Sequence, residues 1–460
     1  MSVSRGVFFV SVLASALLAE VRFVEADEAI YRKAAGGSLA QLQGEGGCVA
    51  SSGDAGCADG RALDNAFHLA VSPDDTSVYV TSPGPAAEAV AIFARDGSAG
   101  ALTQLDDGNG CIGDGAEGCT HGRALQGPHD VAVSPDGQSV YVTTTFVASI
   151  GSGGVAVFAR DPGTGALTQL DGEDGCVDNN GEEGCARGRA TEAARGVAVS
   201  PDGRNVYVAS LGDPWAVAVF ARDGRTGALA QLRGRDGCVS SNRGEGCAGG
   251  RALEAPQDVA VSPDGENVYV AASQGVAVFA RDRRTGALTQ LYGKDGCVHN
   301  EGADGCADGR ALGEGVSVAV SPDGSNVYVA AEAVAVFARN RRTGALAQLD
   351  GKDGCVNNDG DKGCADSRGL LAPHDVAVSA DGESVYVATL QGVAVFARDR
   401  RTGALTQLDG EDGCVDGGGD EGCAHGRALD FATGVAVNRN GRSVYVASGV
   451  SDAVAVFARR

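Results

Sequence analysis

Two histidines that open β-patterned runs, His129 and His374, and one arginine at the same place in a related run, Arg195, are the residues best suited to chemistry. An imidazole titrates near neutral pH and can take or give a proton. A guanidinium can hold a carboxylate or an oxyanion in its fork. Together they suit acid–base work on an acyl or enol group. Asp130 and Asp375 directly follow the two histidines. Neighbouring residues of a strand point to opposite faces, so neither carboxylate is expected to orient its own neighbour.

What must position these residues is a repeat. Seven units read, with variations, D-V-A-V-S-P-D-G-x-S-V-Y-V-A, G-V-A-V-F-A-R-D, T-G-A-L-T-Q-L-D-G and a paired-cysteine stretch ending G-R-A-L. A period of about sixty residues with four short β-patterned runs is the signature of a propeller blade. The expected fold is all-β: a seven-bladed β-propeller of four-stranded antiparallel blades. In the second unit, strands are expected at 130–134, 138–144, 154–160 and 166–171, with a hairpin turn at Pro135-Asp136-Gly137. The repeat begins with a fourth strand at 37–42 and stops after a third strand at 453–460. The N-terminal strand is therefore expected to complete the last blade and close the ring.

Seven inner strands converge on a central channel, and their first residues face its mouth. The residue before D-V-A-V is, unit by unit, Phe67, His129, Arg195, Gln257, Val316, His374 and Thr433. The next is His68, Asp130, Gly196, Asp258, Ser317, Asp375 and Gly434. Variation confined to two positions of a near-identical frame is what a built site looks like. His129, His374 and Arg195 are the catalytic candidates. Gln257, Asp130, Asp258, Asp375 and His68 are candidate substrate contacts. The loops joining strands two and three are longest in the second and third units, at 145–153 and 211–216, and carry Phe146 and the single tryptophan, Trp215. They are expected to wall a pocket beside His129 and Arg195. The plainer reading is that a histidine at a strand start hydrogen-bonds a neighbouring loop.

The rest of the pattern reads as architecture. Tyr79, Tyr141, Tyr207, Tyr269, Tyr328, Tyr386 and Tyr445 recur in V-Y-V, and seven phenylalanines recur in V-F-A-R. Their regularity points to packing between blades. The arginines of G-R-A-L (Arg61, Arg123, Arg189, Arg251, Arg310, Arg368, Arg427) suggest a repeated ion pair or backbone clamp, with a cationic ring at the channel as the alternative. His121, His299 and His425 lie in or beside the cysteine loops and are expected to be solvated.

The cysteines fall in seven neighbouring pairs: Cys48 with Cys57, Cys111 with Cys119, Cys176 with Cys185, Cys238 with Cys247, Cys297 with Cys306, Cys355 with Cys364, and Cys414 with Cys423. Eight residues separate most pairs, unlike the short knuckles of zinc or iron–sulfur sites. Local disulfides are the expectation, and no metal or other cofactor is. The acidic cysteine loops match no calcium-loop spacing. At the N-terminus, Arg5 and an apolar stretch at 6–18 read as a signal peptide, cleaved after Ala26 or Ala19. Residues 1–26 are assigned to it, 27–36 to a disordered lead and 37–460 to the propeller. The mature chain is expected to be secreted, extracellular or periplasmic, monomeric and without a membrane span. The net charge of −23 argues against nucleic acid and anionic membranes. No G-x-S-x-G elbow, H-E-x-x-H, P-loop or dinucleotide fingerprint is present.

The phrase V-A-V-S-P-D-G-x-x-V-Y-V followed by V-F-A-R-D-x-x-T-G-A-L-T-Q-L resembles the lactonase-type seven-bladed propellers, a group that includes 6-phosphogluconolactonase-like proteins and carboxymuconate cyclases. The resemblance spans essentially the whole mature chain. It implies action at the channel mouth with His, Arg and acidic groups and without a metal. Pro128-His129-Asp130 and Pro373-His374-Asp375 look like the P-H segments that enter inner strands in that family. The expectation is a secreted lactonase-like enzyme that hydrolyses or isomerises a small carboxylated lactone. The alternative is a non-catalytic extracellular scaffold for a protein or glycan.

Overall fold

The computed structural model describes residues 36–53, 56–116, 118–145 and 153–460. The expected signal peptide at 1–26, nearly all of the expected lead at 27–36, and Phe146 lie outside them. No helix among the described residues is long and apolar enough to cross a membrane.

Seven sheets form the blades, in chain order, with blade 7 shared between the two ends of the chain. Blade 2 serves as the pattern. Its inner strand is Pro128–Val133, its second Ser139–Thr144 and its third Gly154–Arg160, each antiparallel to the next. The outer position is filled in two pieces. Leu167–Gln169 pairs with one end of the third strand and Cys176–Asp178 with the other, with a short 3₁₀ turn at Gly172–Gly175 between them. The chain then folds back, and Ala186–Arg187 adds a short parallel strand beyond the edge. Each blade thus holds the four expected strand positions plus a strip built by the cysteine segment.

The disulfides join the expected neighbours. Cys48 bonds Cys57, Cys111 bonds Cys119, Cys176 bonds Cys185, and Cys238 bonds Cys247. Cys297 bonds Cys306, Cys355 bonds Cys364, and Cys414 bonds Cys423. In each pair the first cysteine opens the second piece of the outer strand and the second precedes the parallel strip, so the bond ties the strip to its own blade.

Ring closure follows the expected exchange. Leu39–Gln41 pairs with Ala453–Arg459, Leu39 opposite Arg459 and Gln41 opposite Phe457. Cys48–Ala50 continues along the same strand. The outer edge of the last blade's third strand is therefore covered by the N-terminal segment.

Apolar packing runs between blades. Tyr79 of blade 1 shares a buried cluster with Val140 and Phe158 of blade 2, and Tyr141 of blade 2 meets Phe220 of blade 3 in the same way. On the face away from the mouth, the same tyrosines carry a polar belt. Tyr79 OH donates to Gly165 O (2.8 Å), and Arg160 Nε donates to Tyr79 OH (2.7 Å). The Arg160 guanidinium also forks onto Asp74 of the preceding hairpin turn (2.9 Å). Gly165 must be glycine: its φ is +82°, and a Cβ there would lie 2.2 Å from Ser77 Oγ of the neighbouring blade. Arg222, Arg281, Arg339 and Arg398 repeat the whole motif with Asp136, Asp202, Asp264 and Asp323. Arg459 closes on Asp381. At the seam between blades 7 and 1 the carboxylate is replaced by Asn440, and Arg95 bonds Tyr445 OH, Ser443 Oγ and Asp75 O instead.

The G-R-A-L arginines form a second belt, at the outer rim. Arg123 donates to the carbonyls of Gly172 and Glu183 in the next blade, and Gln169 of that blade brackets the Arg123 backbone N–H and carbonyl. Arg189 and Arg427 act alike. Of the readings held open above, the backbone clamp is the one realised.

Candidate functional site

The mouth is built by the two variable positions. At the second of them, Asp130, Asp258 and Asp375 fall on blades 2, 4 and 6, and each bridges to the next blade. Val197 N–H donates to Asp130 Oδ2, Val318 N–H to Asp258 Oδ2 and Val435 N–H to Asp375 Oδ2, all at 2.8 Å. Blades 3, 5 and 7 carry Gly196, Ser317 and Gly434 there. A Cβ on Gly196 would lie 2.6 Å from Asp258 Cα, so a small residue lets the inner strands approach. Ser317 Oγ donates to Asp375 Oδ1 (2.7 Å). Aspartate and small residue therefore alternate around the ring. Seven is odd, so the alternation cannot close, and blade 1 carries the mismatch: His68. Its Nδ1 lies 3.3 Å from Asp130 Oδ1.

At the first position, Phe67, His129 and Arg195 form one chain of contacts across blades 1, 2 and 3. The Phe67 and His129 rings are 4.5 Å apart, and His68 stacks on His129 at 5.9 Å. Arg195 Nη1 lies 2.7 Å from His129 Nε2. Two local features hold the pair. The inner strands of blades 2 and 3 are bulged, between Pro128 and Val131 and between Ala194 and Val197, which re-aims the residues there. Thr81 Oγ1 of blade 1 donates to His129 O (2.9 Å), and Thr143 of blade 2 bonds Arg195 O.

The protonation pattern follows from geometry. A guanidinium can only donate, so His129 Nε2 accepts and the neutral ring carries its proton on Nδ1. Burial, then the charges of Arg195 and His68, holds the His129 pKa well below the usual histidine value. His129 Nδ1 and Arg195 Nε are buried without a hydrogen-bond partner among the described residues. Burial also pushes Arg195 below its ordinary value, and no carboxylate pairs with it among the described residues. His68 goes the other way. Burial lowers it, but the Asp130 hydrogen bond and the charges of Asp130, Asp375 and Asp258 outweigh this and raise it to about 9. Asp258 is pushed up to about 7, by burial first and then by Asp130 and Asp375. At neutral pH the site therefore offers a fixed cation (His68), an unpaired guanidinium, a neutral imidazole and a carboxyl group poised to exchange a proton.

The remaining candidates sit apart. His374 Nδ1 bonds Ala372 O (2.7 Å) and its ring packs on Phe431 at 5.0 Å, so none of these contacts is shared with His129. This is the local hydrogen bond of the plainer reading. The two histidines differ because the inner strand of blade 6 begins only at Asp375, without the bulge of blade 2. Trp215 is half exposed, and its carbonyl accepts from Ser241 N–H of its own cysteine segment (3.0 Å), toward the outer side of blade 3. Gln257 is half-buried, with its backbone N–H on Ala271 O (2.9 Å). Sequence reasoning missed the roles of Phe67 and Ser317 and the bridging by the aspartates. The signal was present in the Asp/small alternation of the second position.

No family model matches the chain, and no curated protein matches it. Solved structures do. A candidate 6-phosphogluconolactonase from Bacteroides uniformis aligns with a TM-score of 0.50 at 20% identity, covering 74% of this chain and 82% of that one. A second, from Bacteroides fragilis, gives 0.50 at 22% identity over 75% and 83%. Hydrazine synthase from Kuenenia stuttgartiensis gives 0.52 at 15% identity over 88% and 98%. At these identities the likeness is one of fold, and the chain is a seven-bladed β-propeller similar in fold to those proteins.

Proposed function

We propose that the protein is an exported, lactonase-like hydrolase that opens a small carboxylated lactone at the mouth of its channel. One observation carries this reading: Arg195, recessed in the mouth, has no carboxylate partner among the described residues and is propped by a neutral His129. An unpaired recessed guanidinium is costly for folding and useful for holding an anion. The lactonase-like fold neighbours and the seven disulfides agree with it.

In this reading Arg195 holds the substrate carboxylate, and His129 fixes the guanidinium. Asp258 takes a proton from water as the water oxygen adds to the ring carbonyl. The protonated His68 steadies the developing oxyanion. When the ring C–O bond breaks, His68 gives its proton to the leaving ring oxygen, and the product is a hydroxy acid. The proton on Asp258 returns to His68 through solvent. Asp130 and Asp375 keep His68 protonated through their charges, and Gln257 and His374 are assigned no step.

A second reading rests on a different observation. Trp215, Leu371, Leu390 and Val450 are exposed large hydrophobics in loops of the mouth face. They favour a binding scaffold for an extracellular protein. The test is a screen of aliphatic, aromatic and sugar lactones on the oxidised protein, with Arg195→Gln as control. Turnover that Arg195→Gln abolishes supports the hydrolase. Absence of turnover in folded protein transfers the assignment to the scaffold.

A further inference from the structure

The face opposite the mouth has a charge that contradicts the chain as a whole. The turns joining third and outer strands there carry Arg225 in blade 3, Arg283 and Arg284 in blade 4, Arg341 and Arg342 in blade 5, and Arg400 and Arg401 in blade 6. All seven are exposed. The same turns in blades 1 and 2 hold Gly97-Ser98 and Pro162-Gly163, without a cation. The basic residues therefore form an arc over four adjacent blades, on a chain whose formal net charge is −23.

The acids of these turns offset the arc only in part, three aspartates against seven arginines. Asp223, Asp282 and Asp399 open three of the turns, and each carboxylate accepts two backbone N–H groups of its own turn. In blade 5 the turn opens with Asn340, which makes the same bonds without the charge. Asp202, Asp264 and Asp323 of the neighbouring hairpins are taken up by the buried belt arginines. Among the described residues, only Arg400 of the seven has a carboxylate oxygen within 4.0 Å, that of Glu383 at 3.8 Å. Between blades 4 and 5 the arc is also concave. A shallow cleft of about 370 Å³ is lined there by Arg281, Arg283, Arg342, Asn267, Thr343 and Glu266.

We infer that this arc is a binding surface for a linear anionic polysaccharide bearing carboxylate or sulfate groups. The site is separate from the mouth and does not depend on the function proposed for it. Guanidinium forks match planar carboxylates and sulfates with paired hydrogen bonds, which ammonium groups cannot do. Their recurrence blade after blade along an arc fits a ligand that repeats its charge along an extended chain. The cleft between Arg283 and Arg342 is where such a chain would seat most deeply.

The probes are polygalacturonate and dextran sulfate, with neutral dextran and duplex DNA as comparators, measured by calorimetry on the oxidised full chain. Saturable binding to a polysaccharide probe at low salt is expected, weakening as salt rises. Arg283→Ser/Arg342→Ser should weaken it at least fivefold with an unchanged thermal transition, and His129→Ala should leave it intact. Placing arginines at Pro162 and Gly163 of blade 2 should tighten it. Unchanged binding in Arg283→Ser/Arg342→Ser overturns the proposal. So does equal binding of duplex DNA, which would mark non-specific charge attraction.

Discussion

The belt beneath the blades and the ring at the mouth are made from the same seven repeats, and they are built on opposite rules. In the belt, every unit supplies the same tyrosine and arginine, and six of seven junctions supply the same aspartate. At those junctions the guanidinium is matched by a carboxylate and, as at Arg160, Arg222 and Arg281, by a phenol oxygen. At the mouth, aligned positions hold Phe67, His129, Arg195 and Gln257, and a recessed guanidinium is left without a counter-ion among the described residues. Uniform pairing holds the ring together. Departure from it leaves polar groups without a partner among the described residues, which is what a ligand site needs.

The largest effect is expected in the belt. Arg281→Ala removes a fully buried guanidinium and takes from Asp202 its ion pair and from the Tyr207 hydroxyl its donor, leaving Asp202 the bonds from Ser200 and Arg204 and Tyr207 its bond to Gly286 O. It should cost about 3–5 kcal/mol, read by urea denaturation. At the mouth the same kind of change should act on turnover instead. Arg195→Gln should lower kcat/KM for a responsive lactone about 10²–10³-fold, while stability stays unchanged or rises because an unpaired cation is gone.

How far the sequence could be read follows the same division. The strands, the ring closure and the local disulfides were legible because each rests on short-range pattern: alternation, a D-G turn, a pair of cysteines a few residues apart. The tyrosines were legible as packing, but the belt arginine was not, because Arg160 and Asp74 are 86 residues apart. The mouth was legible as a place and not as a set of contacts. His129 and His374 stand in identical Pro-His-Asp triplets, yet one is bulged toward Arg195 and the other bonds its own loop. That choice is made by neighbouring blades, through Thr81 and Thr143, and by no residue within the triplet.

A smaller effect should show in pH dependence. His68 has its folded pKa raised from 6.5 to about 9, so its folded state holds a proton that its unfolded state releases. By linkage this contributes on the order of 3 kcal/mol of stability, fully present below pH 6.5 and lost as pH rises through about 9. Asp258, raised from 3.8 to about 7, loses stability earlier, over the rise from 3.8 to 7. Between pH 7 and 9 the decline therefore belongs to His68, and His68→Gln should flatten it in a series of denaturation curves. A slope that persists in the variant would assign the titration elsewhere.

The smallest effect is expected at the seam. Among the described residues, Arg95 has a phenol, a hydroxyl and a carbonyl for partners, since Asn440 stands where the other turns have aspartate. Arg95→Ala should cost about 1–3 kcal/mol, less than Arg281→Ala. Equal losses would mean that the carboxylate adds nothing to the belt.

The most direct test of the division between belt and mouth is a paired measurement on Arg195→Gln: its urea midpoint and its turnover of whichever lactone the native protein opens. The expected result is a midpoint equal to or above that of the native protein, together with turnover lower by about a hundredfold or more. A variant that loses stability as Arg281→Ala does, or that keeps its turnover, would place Arg195 among the structural arginines and leave the mouth without its anion-binding group.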